Sequence, residues 1–217
     1  MWRHTRKTDQ DDWRMKTFRV NEIFYSLQGE GRNTGRAAVF IRFAGCNLRC
    51  PFCDTEFDSY QEMTSEQILA AISDYPARLV VLTGGEPTLQ VDEQFVELLH
   101  SYNYLVAMES NGTRPAPFNL DWLTVSPKEF SEGVVVRERE RTPDEIKVVF
   151  DEDTPAVLQT LYPSLLNLYP IPLLYLQPCD TGDAQRNAAI LRQCIDYIKE
   201  HPDWILSLQT HKLIHIQ

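Results

Sequence analysis

Ala37-Ala38-Val39-Phe40-Ile41-Arg42-Phe43 runs directly into Ala44-Gly45-Cys46-Asn47-Leu48-Arg49-Cys50-Pro51-Phe52-Cys53, and the joint between these two halves decides the fold. The first half is a short apolar run containing β-branched and aromatic residues, the pattern of a buried strand. The second half places three thiols within eight residues on the loop that follows. In parallel α/β architectures, functional groups collect where strands end and loops begin.

Outward from this stretch the same form repeats. Strand-like runs stand at 79–83, 105–109, Trp122–Val125, 145–149, 173–177 and 205–208. Polar or Gly-bearing exits follow several of them: Gly84-Gly85-Glu86-Pro87, Ser110-Asn111-Gly112, Ser126-Pro127-Lys128 and Pro178. With the cysteine loop, these five exits predict one shared mouth. Helical patterns lie between strands. Thr64-Ser65-Glu66-Gln67 reads as a capping box opening a helix through Ile72. Phe95, Leu98 and Leu99 give one stripe, and Ala188, Leu191, Ile195 and Ile198 another. Such alternation predicts a parallel sheet with crossover helices.

The 217 residues carry 43% hydrophobic and 24% charged residues, enough apolar material for a substantial core. A formal net charge of −10 argues against a nucleic-acid partner, because phosphate-backbone binding needs clustered Lys and Arg. No run approaches the length of a membrane span. Residues 1–17 are polar, with basic and acidic residues mixed, and read as a flexible leader, or as an upstream start with Met15 the natural one. Residues 18–217 then form a single domain. Residues 130–143, rich in Glu and Arg, read as a surface excursion.

Five cysteines, three of them clustered, fit soft-metal ligation in a reducing cytoplasm better than a disulfide framework. Three local thiolates suit a [4Fe–4S] cluster with one iron left open. A zinc site completed by Cys179, Cys194 or His211 is the second reading, and buried inert cysteines the third.

The Cys-x3-Cys-x2-Cys spacing, with Phe52 before the last Cys, resembles the radical S-adenosylmethionine (SAM) superfamily, and Gly84-Gly85-Glu86-Pro87 resembles its GGEP motif. The resemblance implies that Cys46, Cys50 and Cys53 hold a [4Fe–4S] cluster whose open iron chelates SAM. It also implies a partial (β/α)6 barrel, since the chain is too short for eight strands. An open barrel has exposed edges, hence an expected homodimer. Leu27-Gln28-Gly29-Glu30-Gly31, Cys53-Asp54-Thr55 and Leu208-Gln209-Thr210-His211-Lys212 narrow the resemblance to the 7-carboxy-7-deazaguanine synthases. That family implies 6-carboxy-5,6,7,8-tetrahydropterin as substrate, Mg²⁺, an electron donor such as flavodoxin or ferredoxin, and ring contraction with loss of ammonia.

Carried onto this sequence, the resemblance gives Leu27, Gln28, Gly29, Glu30, Arg42, Thr83, His211 and Gln217 to the pterin. Phe52, Cys53, Asp54, Gly84, Gly85, Glu86, Glu109, Ser110, Ser126, Pro127, Lys128 and Gln177 fall to SAM, and Thr55 to Mg²⁺. The residue types make chemical sense. Gln28 and Glu30 offer donors and acceptors for a flat heterocycle edge. Arg42 offers a planar fork for a carboxylate. Thr55 offers a hard oxygen for Mg²⁺. Each has a plainer reading too: Arg42 as a surface charge, Thr55 as a cap, Gln28 and Glu30 as turn-shapers, His211 as a structural histidine. Lys147 reads as an edge-strand lysine outside the site, and Cys179 and Cys194 as ordinary core or surface cysteines. Two other functions stay open: a radical SAM activase acting on a glycyl-radical protein, and a non-catalytic zinc or iron–sulfur interaction module. Segment 57–63 leaves little room for an inserted domain.

Overall fold

The computed structural model describes residues 16–51, 53, 56, 58–128, 141–165, 168 and 170–217. Up to residue 15 the expected leader lies outside them. Lys16 pairs with Asp92 at 2.5 Å, and Thr17 already opens the first strand.

One nine-stranded sheet organises the chain, in the order β3-β1-β2-β4-β5-β6-β7-β8-β9. Its strands are β1 Thr17–Leu27, β2 Ala37–Phe43, β3 Gln61–Thr64, β4 Leu79–Gly84, β5 Leu105–Ser110, β6 Trp122–Val125, β7 Glu145–Phe150, β8 Leu173–Pro178 and β9 Trp204–Leu206. From β2 through β9 every neighbouring pair is parallel, while β1 runs antiparallel to β2 and to β3. Strands β2 and β4–β8 are the six of the expected partial barrel. The short β9 extends it by one strand and lies at 204–206 instead of the expected 205–208.

The helices are α1 Ser65–Ser73, α2 Glu93–Ser101, α3 Thr154–Leu165, α4 Ala184–Glu200 and the single turn α5 Thr210–Leu213. The capping box opening α1 forms as read: Thr64 Oγ1 accepts from Gln67 N, and Gln67 Oε1 accepts from Thr64 N. Among the described residues, no helix joins β5 to β6. Pro115 and Pro117 in that connection remove backbone donors and push their preceding residues toward extended conformations. The stripe expected on α4 also shifts. Its fully buried residues are Ile190 and Cys194, whereas Ala188 and Ile195 are exposed. Cys194 is thus an ordinary core cysteine. No described helix is long and apolar enough to cross a membrane.

Strand alternation builds three apolar clusters. On the outer face, Val39, Ile41, Phe43, Val80, Leu82, Val106 and Met108 pack with Ile68 and Ile72 of α1 and Phe95 and Leu99 of α2. Ile146, Val148, Phe150, Leu174 and Leu176 pack with Leu158 of α3 and Ile190 of α4. On the inner face, Phe24, Ala38, Phe40, Leu79, Val81 and Ala107 form a small separate floor. One step or two further along the same strands the inward residues turn polar: Arg42 on β2, Thr83 on β4, Glu109 on β5, Gln177 on β8. The fold therefore makes a cup with an apolar base and a polar wall.

Candidate active site

The cup encloses about 560 Å³, and all five strand exits open on it. Cys46, Cys50 and Cys53 line it, and none is in a disulfide. Their loop is anchored before it begins. Gly85 N and Glu86 N donate to Phe43 O and Gly45 O, each at 2.9 Å, and Gln90 Nε2 donates to Ala44 O at 2.8 Å. Gly84, at φ +110°, and Gly85 are needed here: a Cβ on Gly85 would stand 1.9 Å from Gly45 O. Their freedom serves a close approach to the backbone entering the cysteine loop as well as to the cavity.

The thiols fit a cluster better than a single ion. Three thiols on one loop, each facing the cavity, suit a cube whose separate irons each take one thiolate. Leu48 N donates to Cys46 Sγ at 3.4 Å, and Asn111 Nδ2 stands 4.0 Å from the same sulfur. The fourth iron would then open onto the cup.

Glu86 is placed differently from expectation. It is fully buried and does not line the cavity. Its carboxylate accepts from Thr88 N, Thr88 Oγ1, Ser110 Oγ and Asn111 N, at 3.1, 2.7, 2.9 and 2.7 Å. With those partners it pins the β4 exit to the β5 exit. Pro127 is also buried away from the cavity. Phe52, Asp54 and Thr55 lie outside the described residues. Every other expected contact residue lines the cup: Leu27, Gln28, Gly29, Glu30, Arg42, Thr83, Gly84, Gly85, Glu109, Ser110, Ser126, Lys128, Gln177, His211 and Gln217.

The Gln28–Gly31 loop and the C-terminal segment close the cup between them. Thr210 N and Oγ1 both donate to Gly29 O at 2.9 Å, and Gln209 Nε2 donates to Glu30 Oε1 at 3.0 Å. Gly29 leaves room for the His211 ring, whose Nδ1 would be 2.1 Å from a Cβ. Arg42 extends over the Phe24 ring at 5.1 Å, with Nε 3.8 Å from the Glu22 carboxylate. That Nε is buried without a hydrogen-bond partner among the described residues.

Lys147 is the main residue that sequence reasoning left out. It lies on β7, between β6 and β8, so it is no edge lysine. Its ammonium donates to Glu30 Oε2 at 2.5 Å and to Glu109 Oε2 at 3.0 Å, with its side chain 5% exposed. Gln28 Nε2 adds a donor to Glu109 Oε1 at 3.1 Å. Burial alone would raise the Glu30 pKa, but the Lys147 charge and hydrogen bonds from Lys147 and Gln209 bring it down to about 2. Glu109 goes the other way: burial and the neighbouring Glu30 charge raise it against the pull of Lys147. Burial also lowers Lys128, whose Nζ donates to Ser126 Oγ at 2.7 Å. Asn111, Cys179, Asp180, Gln209 and Lys212 line the cup too. Asn111, Gln209 and Lys212 stood inside motifs already recognised, so position beside a strand exit was the usable signal.

An open parallel sheet carrying three thiols at the mouth of a polar cup defines the radical SAM class, and the Radical SAM superfamily signature spans residues 40–152. The chain is 46% identical to the 7-carboxy-7-deazaguanine synthase of Bacteroides thetaiotaomicron, over 92% of this chain and 98% of that one. It is 40% identical to the synthase of Bordetella pertussis, over 92% and 99%. The crystal structure of QueE from Escherichia coli superposes with a TM-score of 0.77 at 30% identity, covering 93% of this chain and 98% of that one. The chain belongs to the 7-carboxy-7-deazaguanine synthase family.

Proposed function

We propose that this enzyme converts 6-carboxy-5,6,7,8-tetrahydropterin to 7-carboxy-7-deazaguanine, with ring contraction and loss of ammonia, in queuosine-type 7-deazapurine biosynthesis. The observation that carries this reading is one closed cup in which the cysteine loop faces Gln28, Glu30, Arg42 and Thr83. A glycyl-radical activase would need a groove open to a protein chain, and the Gly29–Thr210 bonds close that side.

Cys46, Cys50 and Cys53 would hold the cluster, which would supply, with an electron received from an external reductant, the one-electron chemistry for reductive cleavage of SAM and hydrogen abstraction from the pterin. The chain's own residues orient and shield. Arg42 pairs with the substrate carboxylate; that its guanidinium lines the cup over the Phe24 ring supports the role. Glu30, held as a carboxylate, accepts from the N–H edge of the pterin, while Gln28 reads the same edge. Glu109, Ser110, Ser126, Lys128 and Gln177 face SAM. The apolar floor of Phe24, Phe40 and Val81 keeps water from below the reacting carbon.

Thr55 holds Mg²⁺ on the substrate side, by the chemistry of hard oxygen and a hard cation. The reductant is a small electron-transfer protein of the flavodoxin or ferredoxin kind. The single domain spans residues 18–217, works in the cytoplasm and pairs as a homodimer; exposed Leu213 and Ile214 support an apolar contact.

Anaerobic incubation of the reconstituted enzyme with SAM, reductant, Mg²⁺ and the carboxytetrahydropterin, followed by mass analysis, tests the reading. The expected product has lost ammonia. Cleavage of SAM without any pterin product would overturn it. Omitting Mg²⁺, or Thr55→Ala, should slow pterin turnover more than uncoupled SAM cleavage.

A further inference from the structure

A lysine in the middle of a parallel sheet needs a reason. Neighbouring strands in such a sheet are covered on both faces, and a buried charge is costly unless paired. A buried ion pair is weak evidence for stability, because well-packed apolar residues often replace one without loss. Lys147 alternates with Ile146 and Val148, which enter the outer core, and so points inward with Val149 above it toward the mouth. There it meets two carboxylates from distant parts of the chain, on the loop after β1 and at the end of β5. Their side chains are 18% and 21% exposed.

We propose that Lys147 is a positioning residue for the radical reaction, the charged strut that joins the pterin-facing Glu30 to the SAM-facing Glu109 and fixes both in place. The assignment rests on the reading of Glu30 and Glu109 given above. An ammonium has three donors in a compact head, so it can serve two carboxylates at once. Without it, two carboxylates face one poorly solvated space, and one of them takes up a proton near neutral pH. Shared between the two carboxylates, that proton leaves Glu30 no longer a pure acceptor and weakens its hold on the pterin edge. The groups around the strut are Glu30 and Gln28 from the β1 loop, Glu109 on β5, Lys128 after β6, Glu145 on β7 itself, and Gln209 and His211 from the C-terminal segment.

The experiment measures pterin and SAM binding to cluster-loaded enzyme between pH 6 and 8.5, for wild type, Lys147→Arg, Lys147→Met and Lys147→Met/Glu109→Gln. Relative to wild type at each pH, Lys147→Met should bind the pterin at least 10-fold more weakly, with the deficit growing as pH falls. Lys147→Arg should recover part of it. Adding Glu109→Gln to Lys147→Met removes the competing negative charge, so pterin affinity should partly return and its pH dependence move down. That double variant keeps the formal charge of the wild-type trio, and carries the test if Lys147→Met does not hold its cluster. A pterin deficit independent of pH and untouched by Glu109→Gln would overturn the strut. Wild type that binds SAM but no pterin at any pH would instead overturn the substrate reading, leaving SAM affinity across the Lys147 variants to judge the contact with Glu109.

Discussion

Arg42 is the residue on which substrate charge depends most directly. Its guanidinium lies over the Phe24 ring and lines the cup, with Nε toward the Glu22 carboxylate. Truncating one partner of a desolvated charged pair costs about 2–5 kcal/mol. Arg42→Ala should therefore lower kcat/KM for the carboxytetrahydropterin by roughly 30-fold to several thousand-fold. Arg42→Lys should recover only part of this, because an ammonium cannot copy the planar fork. Steady-state kinetics with the carboxylated substrate and an analogue lacking the carboxylate decide the matter: the ratio between them should collapse in Arg42→Ala. An unchanged ratio would move the role to another cation lining the cup. Lys147 shows why a single residue can be misread at this scale. Glu145-Ile146-Lys147-Val148-Val149 alternates charged and apolar residues as an edge strand would, and only its neighbours reveal that the charged face points into a closed cup.

At the scale of the element, two glycine contacts separate architecture from recognition. Gly85 abuts backbone, and a methyl group there would meet Gly45 O at 1.9 Å. Backbone cannot swing aside, so Gly85→Ala should destabilise the fold by about 1–3 kcal/mol and reduce cluster content, measured by thermal unfolding and iron analysis. Gly29 abuts the His211 ring, which can move. Gly29→Ala should keep near-normal iron content and lose pterin affinity instead. Equal effects on iron from both substitutions would show that the Gln28–Gly31 loop supports the cluster too. The β1 strand explains one element that pattern reading passed over. Phe18 and Val20 enter the outer core, while Phe24 enters the inner floor. All three have the same parity, so the change of face comes from the register shift between Val20 and Glu22. A bulge of this kind breaks the period-two signal on which strand recognition relies.

Across the whole molecule, Glu145 ties the substrate loop to the sheet. It is 1% exposed, accepts from Arg32 N at 2.9 Å, and presses against Gly31. Burial, with help from the Glu109 and Glu30 charges, raises its pKa from 4.5 to about 7. Between those values the folded chain holds a proton that the unfolded chain has lost, so stability falls as pH rises through this window. Above pH 7 the full cost applies, about 3 kcal/mol at about 1.36 kcal/mol per unit. Glu30 acts in the opposite sense, but only below pH 4.5, where its stabilising ionisation is lost. Glu145→Gln keeps an acceptor for Arg32 N and cannot ionise. At pH 8 it should melt several degrees above wild type, and at pH 5 close to it. A gain of equal size at both pH values would refute the buried-carboxylate account.

Sequence alone determined what depends on neighbours along the chain: the capping box at Thr64, the three-thiol loop after β2, and the polar strand exits that share one mouth. These are local because cap geometry, thiolate spacing and the apolar strand run each involve only a few consecutive residues. The tertiary structure decided what depends on which strands lie side by side. It put Lys147 inside the sheet, set the Glu86 carboxylate as a pin between the β4 and β5 exits, rotated α4 onto Ile190 and Cys194, and closed the cup by joining Gly29 to Thr210. Burial and pairing of a charge are properties of the surroundings in space, and surroundings assembled from β1, β5, β7 and the C-terminal segment leave no periodic trace in any one of them.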